Sequence, residues 1–412
     1  MASEIVLVNI TGVDKPGLMA MVTSTLAQYQ AAVLDVGQAI IHNTLGLGFL
    51  VQVADARQVA PLQEQLQAQL AALDVPVRFT TIDAQRYEAW VGGQGKPRYV
   101  LTIMARGIAA EQLACISALT RDHGLNIETV RRLTGRVPLA RLPANDERTC
   151  IEVVLRGTPD MAAEAALKAE LMTAAARLAF DFSVQRDTVY RRNRRLVAFD
   201  MDSTLIDQEV IDELARLHGV GPEVSAITEQ AMRGELDFQQ SFRARSALLK
   251  GLPESALETV ARSVRLSDGA QRLIQVLQRF GYRIAVLSGG FQYVGEHLQR
   301  QLGLDYVYAN DLVIENGVVT GAVRGEIVDA ARKASLLTEI AAREEIALQQ
   351  TIAIGDGAND LPMLSAAGLG IAFHAKPLVR ATADHSISTM GLDSLLYLMG
   401  FTDSDIDQAL GG

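Results

Sequence analysis

Two aspartates set two residues apart, Asp200 and Asp202, follow the apolar run Leu196–Phe199 and precede Ser203 and Thr204. The run reads as a buried strand of a parallel sheet, which brings both carboxylates to a strand end of low polarity. A buried, unpaired carboxylate is costly, and two on one turn repel each other. A cation relieves both problems, and the natural position for it is the mouth of an open α/β sheet, beyond the carboxyl ends of the strands. The chemistry that suits this spacing is Mg²⁺-dependent attack of Asp200 on phosphorus. By itself, DxDxT fits a strand ending in an acidic turn about as well.

Three further stretches belong at the same sheet edge. In IAVLSGG, Ser288 ends a strand, and Gly289 and Gly290 precede a helix whose free amides suit a phosphate. Taken alone, a turn that needs glycine explains this stretch better. Lys333 opens a helix, and its ammonium would neutralise a phosphoryl group and keep Asp200 ionised, although a single lysine is usually surface. In TIAIGDGANDLPML, Asp356 ends an apolar strand as a metal ligand. Asn359 is set to bond the phosphoryl group or substrate, and Asp360 to support the metal's waters or Lys333 from behind. A helix cap would explain one of these polar groups, not three.

The chain that must position them has 412 residues, enough for two or three domains, with ordinary hydrophobic (49%) and charged (21%) fractions. A net charge of −10 argues against nucleic acid as a partner. Cys115 and Cys150 are too few for a disulfide framework and read as buried thiols of a reducing cytosol. The start, MASEIVLVNI, lacks the pattern of a signal peptide, and no apolar run reaches membrane-spanning length. The expectation is a cytoplasmic protein without a membrane partner.

Residues 1–82 read as one βαββαβ unit, with Leu18, Met19, Val22 and Leu26 inward on its first helix. Residues 83–97, rich in glycine, read as a linker, and the pattern recurs over 98–186. This duplicated ferredoxin-like pattern, with DKPG after the first strand, resembles tandem ACT domains. The resemblance implies an amino-acid effector, serine among the candidates, held at the turn Gly12–Gly17. There Asp14 would accept an ammonium and Gly17 would let backbone approach the ligand. Shaping a turn and capping a helix account for the same two residues nearly as well. The second copy lacks DKPG. The run Arg191-Arg-Asn-Arg-Arg reads as a solvated interdomain segment.

Residues 187–412 alternate strands and helices as a mostly parallel sheet does, interrupted over about 207–265 by four helices that read as a lid. DMDST, LSGG, Lys333 and GDGAND, in that order, resemble the haloacid dehalogenase superfamily of aspartyl-phosphate enzymes. The expected fold is therefore α/β: a Rossmann-like domain with a four-helix cap, preceded by two ACT-like units. The resemblance implies Asp200 as nucleophile and Asp202 as general acid, then base. It also implies Mg²⁺ held by Asp200, Asp356 and the backbone carbonyl of Asp202, with Ser288, Gly289, Lys333 and Asn359 on the phosphate.

The lid bears on the substrate. Glu209 opens its first helix and Arg245 sits on its third, so an ammonium and a carboxylate would each find a partner above the phosphate site. A surface Glu–Arg pair is the plainer alternative. The stretch from EVIDELA to RARSALLKGLP resembles the phosphoserine-hydrolysing branch of the superfamily. This implies hydrolysis of O-phospho-L-serine, the last step of serine synthesis, by a homodimer under amino-acid control. Phe238 and Met232 would shield the pocket, though core packing of the lid explains them equally well. Transfer of the phosphoryl group to an alcohol such as homoserine, or an inert amino-acid sensor, are the rival readings.

Overall fold

Val6, Val8 and Ile10 alternate with more exposed neighbours along β1 (Glu4–Val13), so one face of the strand is buried. The same alternation runs through β3 (Thr44–Val53). With β2 (Ala32–Ile41) and β4 (Val77–Ile82) these form an antiparallel sheet in the order β2-β3-β1-β4. Helices α1 (Leu18–Gln28) and α2 (Val59–Ala71) lay Leu18, Val22, Leu26, Leu62, Leu66 and Leu70 on its buried face. Met19, expected inward, is exposed; Thr25 takes the inward position and donates to Gln69 Oε1 at 2.7 Å. The stretch read as a linker is helical over α3 (Ala84–Gln94). Asp83 starts it by accepting the Arg86 N–H at 2.7 Å, and this cap outweighs two interior glycines.

The structure, a computed structural model, describes residues 3–136, 138, 148–383 and 385–411, and the chain forms two compact units, Met1–Lys96 and Pro97–Gly412. The second unit begins with β5 (Arg98–Arg106), α4 (Ala110–Asp122), β6 (Asn126–Arg132), β7 (Arg148–Arg156), α5 (Met161–Leu178) and β8 (Asp181–Arg186). Its order β8-β5-β7-β6 repeats that of the first unit read from the fourth strand. Cys115 and Cys150 are free thiols, the latter buried.

The rest of the unit is built on a largely parallel sheet. Its strands are β9 (Leu196–Phe199), β10 (Arg283–Phe291), β11 (Tyr306–Glu315), β12 (Val318–Arg324), β13 (Thr351–Gly355), β14 (Leu369–Phe373) and β15 (His385–Ile387). They lie in the order β12-β11-β10-β9-β13-β14-β15, with only β12 antiparallel to its neighbour. The sheet then runs on into β8 through one antiparallel pair, Ser386 and Phe182. Side chains at the end of β8 tie the junction. Asp181 accepts from the Ser388 and Thr389 N–H groups, each at 2.8 Å, and from the Thr389 hydroxyl at 2.7 Å.

The arginine run is not solvated throughout. Arg191 is buried and pairs with Glu152 at 2.6 Å, and Arg194 is buried as well, donating to the carbonyls of Gln349 and Thr351.

Helices α6 (Val210–His218), α7 (Gly221–Met232), α8 (Phe238–Leu248) and α9 (Glu254–Ser263) form the cap. It leaves the sheet domain on a two-stranded stem, with Ile206 bridged to Leu266 and the Asp207 N–H bonded to the Arg265 carbonyl. The domain closes with α10 (Ala270–Arg279), α11 (Gln292–Leu302), α12 (Ala330–Arg343), α13 (Leu361–Ala366), α14 (Pro377–Thr382), α15 (Leu395–Leu398) and α16 (Asp403–Leu410). Among the described residues, no helix is long and apolar enough to cross a membrane.

Candidate active site

β9 lies between β10 and β13, so its carboxyl end opens where the chain changes direction across the sheet. Asp200 stands there, 6% exposed. Its N–H donates to the Ile354 carbonyl at 2.8 Å, and its Oδ1 accepts from the Met201 N–H at 2.7 Å. Lys333, from the first turn of α12, is wholly buried beside it. Nζ lies 2.8 Å from Asp200 Oδ1 and 2.7 Å from Asp360 Oδ1. The other Asp360 oxygen accepts the Gly357 N–H at 2.9 Å, and Thr204 donates to Asp356 Oδ1 at 3.1 Å.

Asp200, Asp356 and Asp360 bring carboxylate oxygens within 4.8 Å of one another, against the single ammonium of Lys333. The electrostatics register the imbalance. Burial raises the Asp200 carboxyl well above its ordinary range, and the charge of Asp360 adds to the rise while Lys333 opposes it. Asp356 is pushed up to about 6 by burial and by Asp360, against the Thr204 bond and the charge of Lys376. Burial works against the Lys333 charge, yet the two carboxylates beside it hold the ammonium above its usual range. A donor set of clustered hard oxygens with excess negative charge fits a divalent cation such as Mg²⁺.

The turn after β9 aims the second aspartate. Ser203 there has φ 57°, in the left-handed region. Asp202 Oδ1 accepts the Val210 N–H at 3.2 Å, and its carboxyl is pushed up to about 8 by burial, then by the charge of Glu209. Burial thus favours the protonated form of this carboxyl. The glycines of LSGG are explained by crowding. A Cβ on Gly290 would sit 2.3 Å from Asp202 Oδ2, and one on Gly289 would sit 2.8 Å from Phe238 Cζ. These glycines continue β10 rather than forming a turn, and buried Ser288 accepts the Gly290 N–H at 2.9 Å.

Asp200, Asp202, Ser288, Gly289, Asp356 and Asn359 line one cavity of about 370 Å³, and the cap contributes Glu209, Arg245 and Phe238 to it. Glu209 accepts from the Ser203 hydroxyl at 2.7 Å. Among the described residues no ion pair joins Glu209 to Arg245, and the Arg245 Nε is buried without a partner. Burial depresses the guanidinium, while Glu209, Asp212 and Asp202 hold it up. Phe238 stacks on Phe242 with centroids 6.1 Å apart, but Met232 is 74% exposed and shields nothing, because it ends α7 on the solvent side.

Lys333 and Asp360 sit behind the lining. Lys376 and Thr228, not singled out from the sequence, are in it. Lys376 follows the apolar strand β14, so the rule that strand ends face the site would have found it. Asp14 and Gly17 belong to the N-terminal unit, where Gly17 has φ 88° and nothing lies within 4 Å of the position its Cβ would take.

Residues 197–365 match the haloacid dehalogenase-like hydrolase family, and residues 4–80 match the ACT domain. A phosphoserine phosphatase of Streptomyces coelicolor is 41% identical over 98% of this chain and 94% of its own length. Phosphoserine phosphatase SerB2 of Mycobacterium tuberculosis is 36% identical over 99% and 96%. A haloacid dehalogenase family hydrolase of Salmonella enterica serovar Typhi, solved by crystallography, superposes with a TM-score of 0.62 at 33% identity, covering 73% of this chain and 98% of that one. A probable phosphoserine phosphatase of Vibrio cholerae gives a TM-score of 0.58 at 33% identity, covering 76% and 88%. With relatives matched almost end to end, the chain belongs to the haloacid dehalogenase-like hydrolases, in the branch that carries an N-terminal ACT domain.

Proposed function

We propose that this chain hydrolyses O-phospho-L-serine to L-serine and phosphate through an aspartyl phosphate on Asp200, the last step of serine biosynthesis. The observation that carries the reading is one cavity holding Asp200 and Asp202 together with Glu209 and Arg245, which among the described residues form no ion pair with each other and leave the Arg245 Nε without an acceptor. The substrate's phosphate meets the aspartates, its ammonium Glu209 and its carboxylate Arg245. The names borne by the full-length relatives agree with this.

Asp200 attacks phosphorus, the bond to the serine oxygen breaks, and Asp202 gives its proton to that oxygen. Asp202 then takes a proton from the water that attacks the aspartyl phosphate, and phosphate leaves with Asp200 restored. Lys333 opposes the burial that favours a protonated Asp200, and it also pairs with Asp360. Asp200, Asp356 and the backbone carbonyl of Asp202 would hold Mg²⁺, since both Asp360 oxygens are taken by Lys333 and Gly357. When bound, the cation supplies charge stabilisation at the phosphoryl oxygens. Ser288, Gly289 and Asn359 contact the phosphoryl group.

The deciding assay is Mg²⁺-dependent phosphate release from O-phospho-L-serine, expected for the wild-type chain and lost in Asp200→Asn. Release without Mg²⁺, or from Asp200→Asn, would overturn the reading. Adding homoserine and analysing products separates hydrolysis from transfer. We further infer a cytoplasmic homodimer in which serine or another amino acid binds the Asp14–Gly17 turn and slows the enzyme. The match of residues 4–80 to the ACT domain supports this. Light scattering, and loss of serine inhibition in Asp14→Ala, test it.

A further inference from the structure

Five carboxyl groups line the active-site cavity, Asp356 and Glu209 among them, against two cations, Arg245 and Lys376. The chain as a whole carries a net charge of −10. A phosphomonoester is mostly a dianion near neutral pH, so it has to enter a negatively charged protein past a mainly acidic lining. Of the cations near the site, Lys333 is wholly buried and Arg245 takes the substrate's carboxylate in the proposed reaction. Lys376 has no task in it.

The backbone that carries Lys376 is anchored on both sides. It leaves β14 at His374, whose φ of 46° lies in a left-handed region that residues with side chains seldom adopt. The His374 N–H donates to the Ile387 carbonyl at 2.8 Å, and its ring Nε2 donates to the Met390 carbonyl at 2.9 Å. Ala375 packs inward with Val379. Pro377 restricts Lys376 to an extended backbone, with φ −58° and ψ 151°, and the Lys376 carbonyl accepts the Arg380 N–H at 3.0 Å. The side chain, by contrast, is exposed, and among the described residues no hydrogen bond or ion pair holds its ammonium. Lys376 and Asp356 follow the paired parallel strands β14 and β13, and the Lys376 charge reaches the Asp356 carboxyl. A well-anchored turn thus sets an exposed ammonium in the lining, on the sheet side of the cavity rather than on the cap.

We propose that Lys376 is a recruiting residue, whose charge draws phosphomonoester dianions into a mainly acidic site before the cap residues Glu209 and Arg245 select among them. The proposal rests on the reading of this cavity as a phosphomonoester site.

Steady-state kinetics on p-nitrophenyl phosphate at saturating Mg²⁺ test it, at ionic strengths from about 0.01 M to about 1 M, over which the screening length falls from about 30 Å to about 3 Å. At the low end, kcat/KM is expected to fall about tenfold in Lys376→Met and about 100-fold in Lys376→Glu, and to return in Lys376→Arg. The loss should lie in KM, with kcat within about twofold of the wild type, and the variants should converge at about 1 M. A structural role would neither order the variants by charge nor respond to salt. Because p-nitrophenyl phosphate bears neither carboxylate nor ammonium, the result is independent of the choice of O-phospho-L-serine as substrate. The proposal is overturned if the low-salt losses are absent, if they fall on kcat, if they persist undiminished at high salt, or if Lys376→Arg does not restore capture.

Discussion

At the scale of single residues, the proposed function rests the choice of substrate on one guanidinium. Arg245 lines the cavity, and among the described residues its buried Nε has no acceptor, so in the proposed reading its guanidinium meets the carboxylate that the right phosphomonoester brings. Arg245→Ala is expected to raise KM for O-phospho-L-serine about 10- to 100-fold, from about 1.5–3 kcal/mol for hydrogen bonds to a charged group. Turnover of p-nitrophenyl phosphate, which has no carboxylate, should change little, and steady-state kinetics on the two substrates check this. Gly290 offers a second test. Its absent Cβ makes room for the Asp202 carboxylate, so Gly290→Ala should lower kcat strongly while the melting temperature moves by no more than about 2 °C. The acids at strand ends were legible in the sequence because charge after an apolar strand is costly. The glycines were legible only as a motif, since what they accommodate is a side chain 88 residues away in the chain, counted from 290 to 202.

Among the elements, α12 carries Lys333 and begins at Asp329. Asp329 caps the helix by accepting the Arg332 N–H at 3.0 Å and also takes the amide of Gln239, on the cap helix α8, at 2.7 Å. One carboxylate therefore starts the catalytic helix and fastens the cap above it. The Arg332 N–H, then Gln239, hold its carboxyl below the ordinary 3.8. A depressed carboxyl stabilises the folded state above the unfolded value, and the contribution fades as pH falls through the folded one. Asp329→Ala should cost about 1 kcal/mol near neutrality. In thermal melts, the gap between wild type and variant should narrow below pH 4. Most elements of the chain could be read from periodicity. Residues 83–97 could not, because their glycines signal a linker and a single N-cap aspartate decides for a helix. Nor could the burial of Arg191 and Arg194, which depends on a partner, Glu152, and carbonyls remote in sequence.

For the whole molecule, the duplication seen in sequence has unequal outcomes. The first βαββαβ copy is a compact unit of its own, while the second shares a sheet with the catalytic half. A chain starting at Pro97 should therefore keep its melting transition and turnover. One starting at residue 187 loses the Asp181 clamp and the Arg191–Glu152 pair, and its melting temperature is expected to fall by about 5 °C or more, at ~2–4 °C per kcal/mol for a chain of that size. Calorimetry on both truncations separates the cases. The meeting of β15 with β8 through a single residue pair has another consequence. Cutting β8 away bares a rim only three residues long, too short for a neighbouring molecule to add a strand of its own. The liberated catalytic half, though less heat-resistant, is expected to remain dispersed in solution.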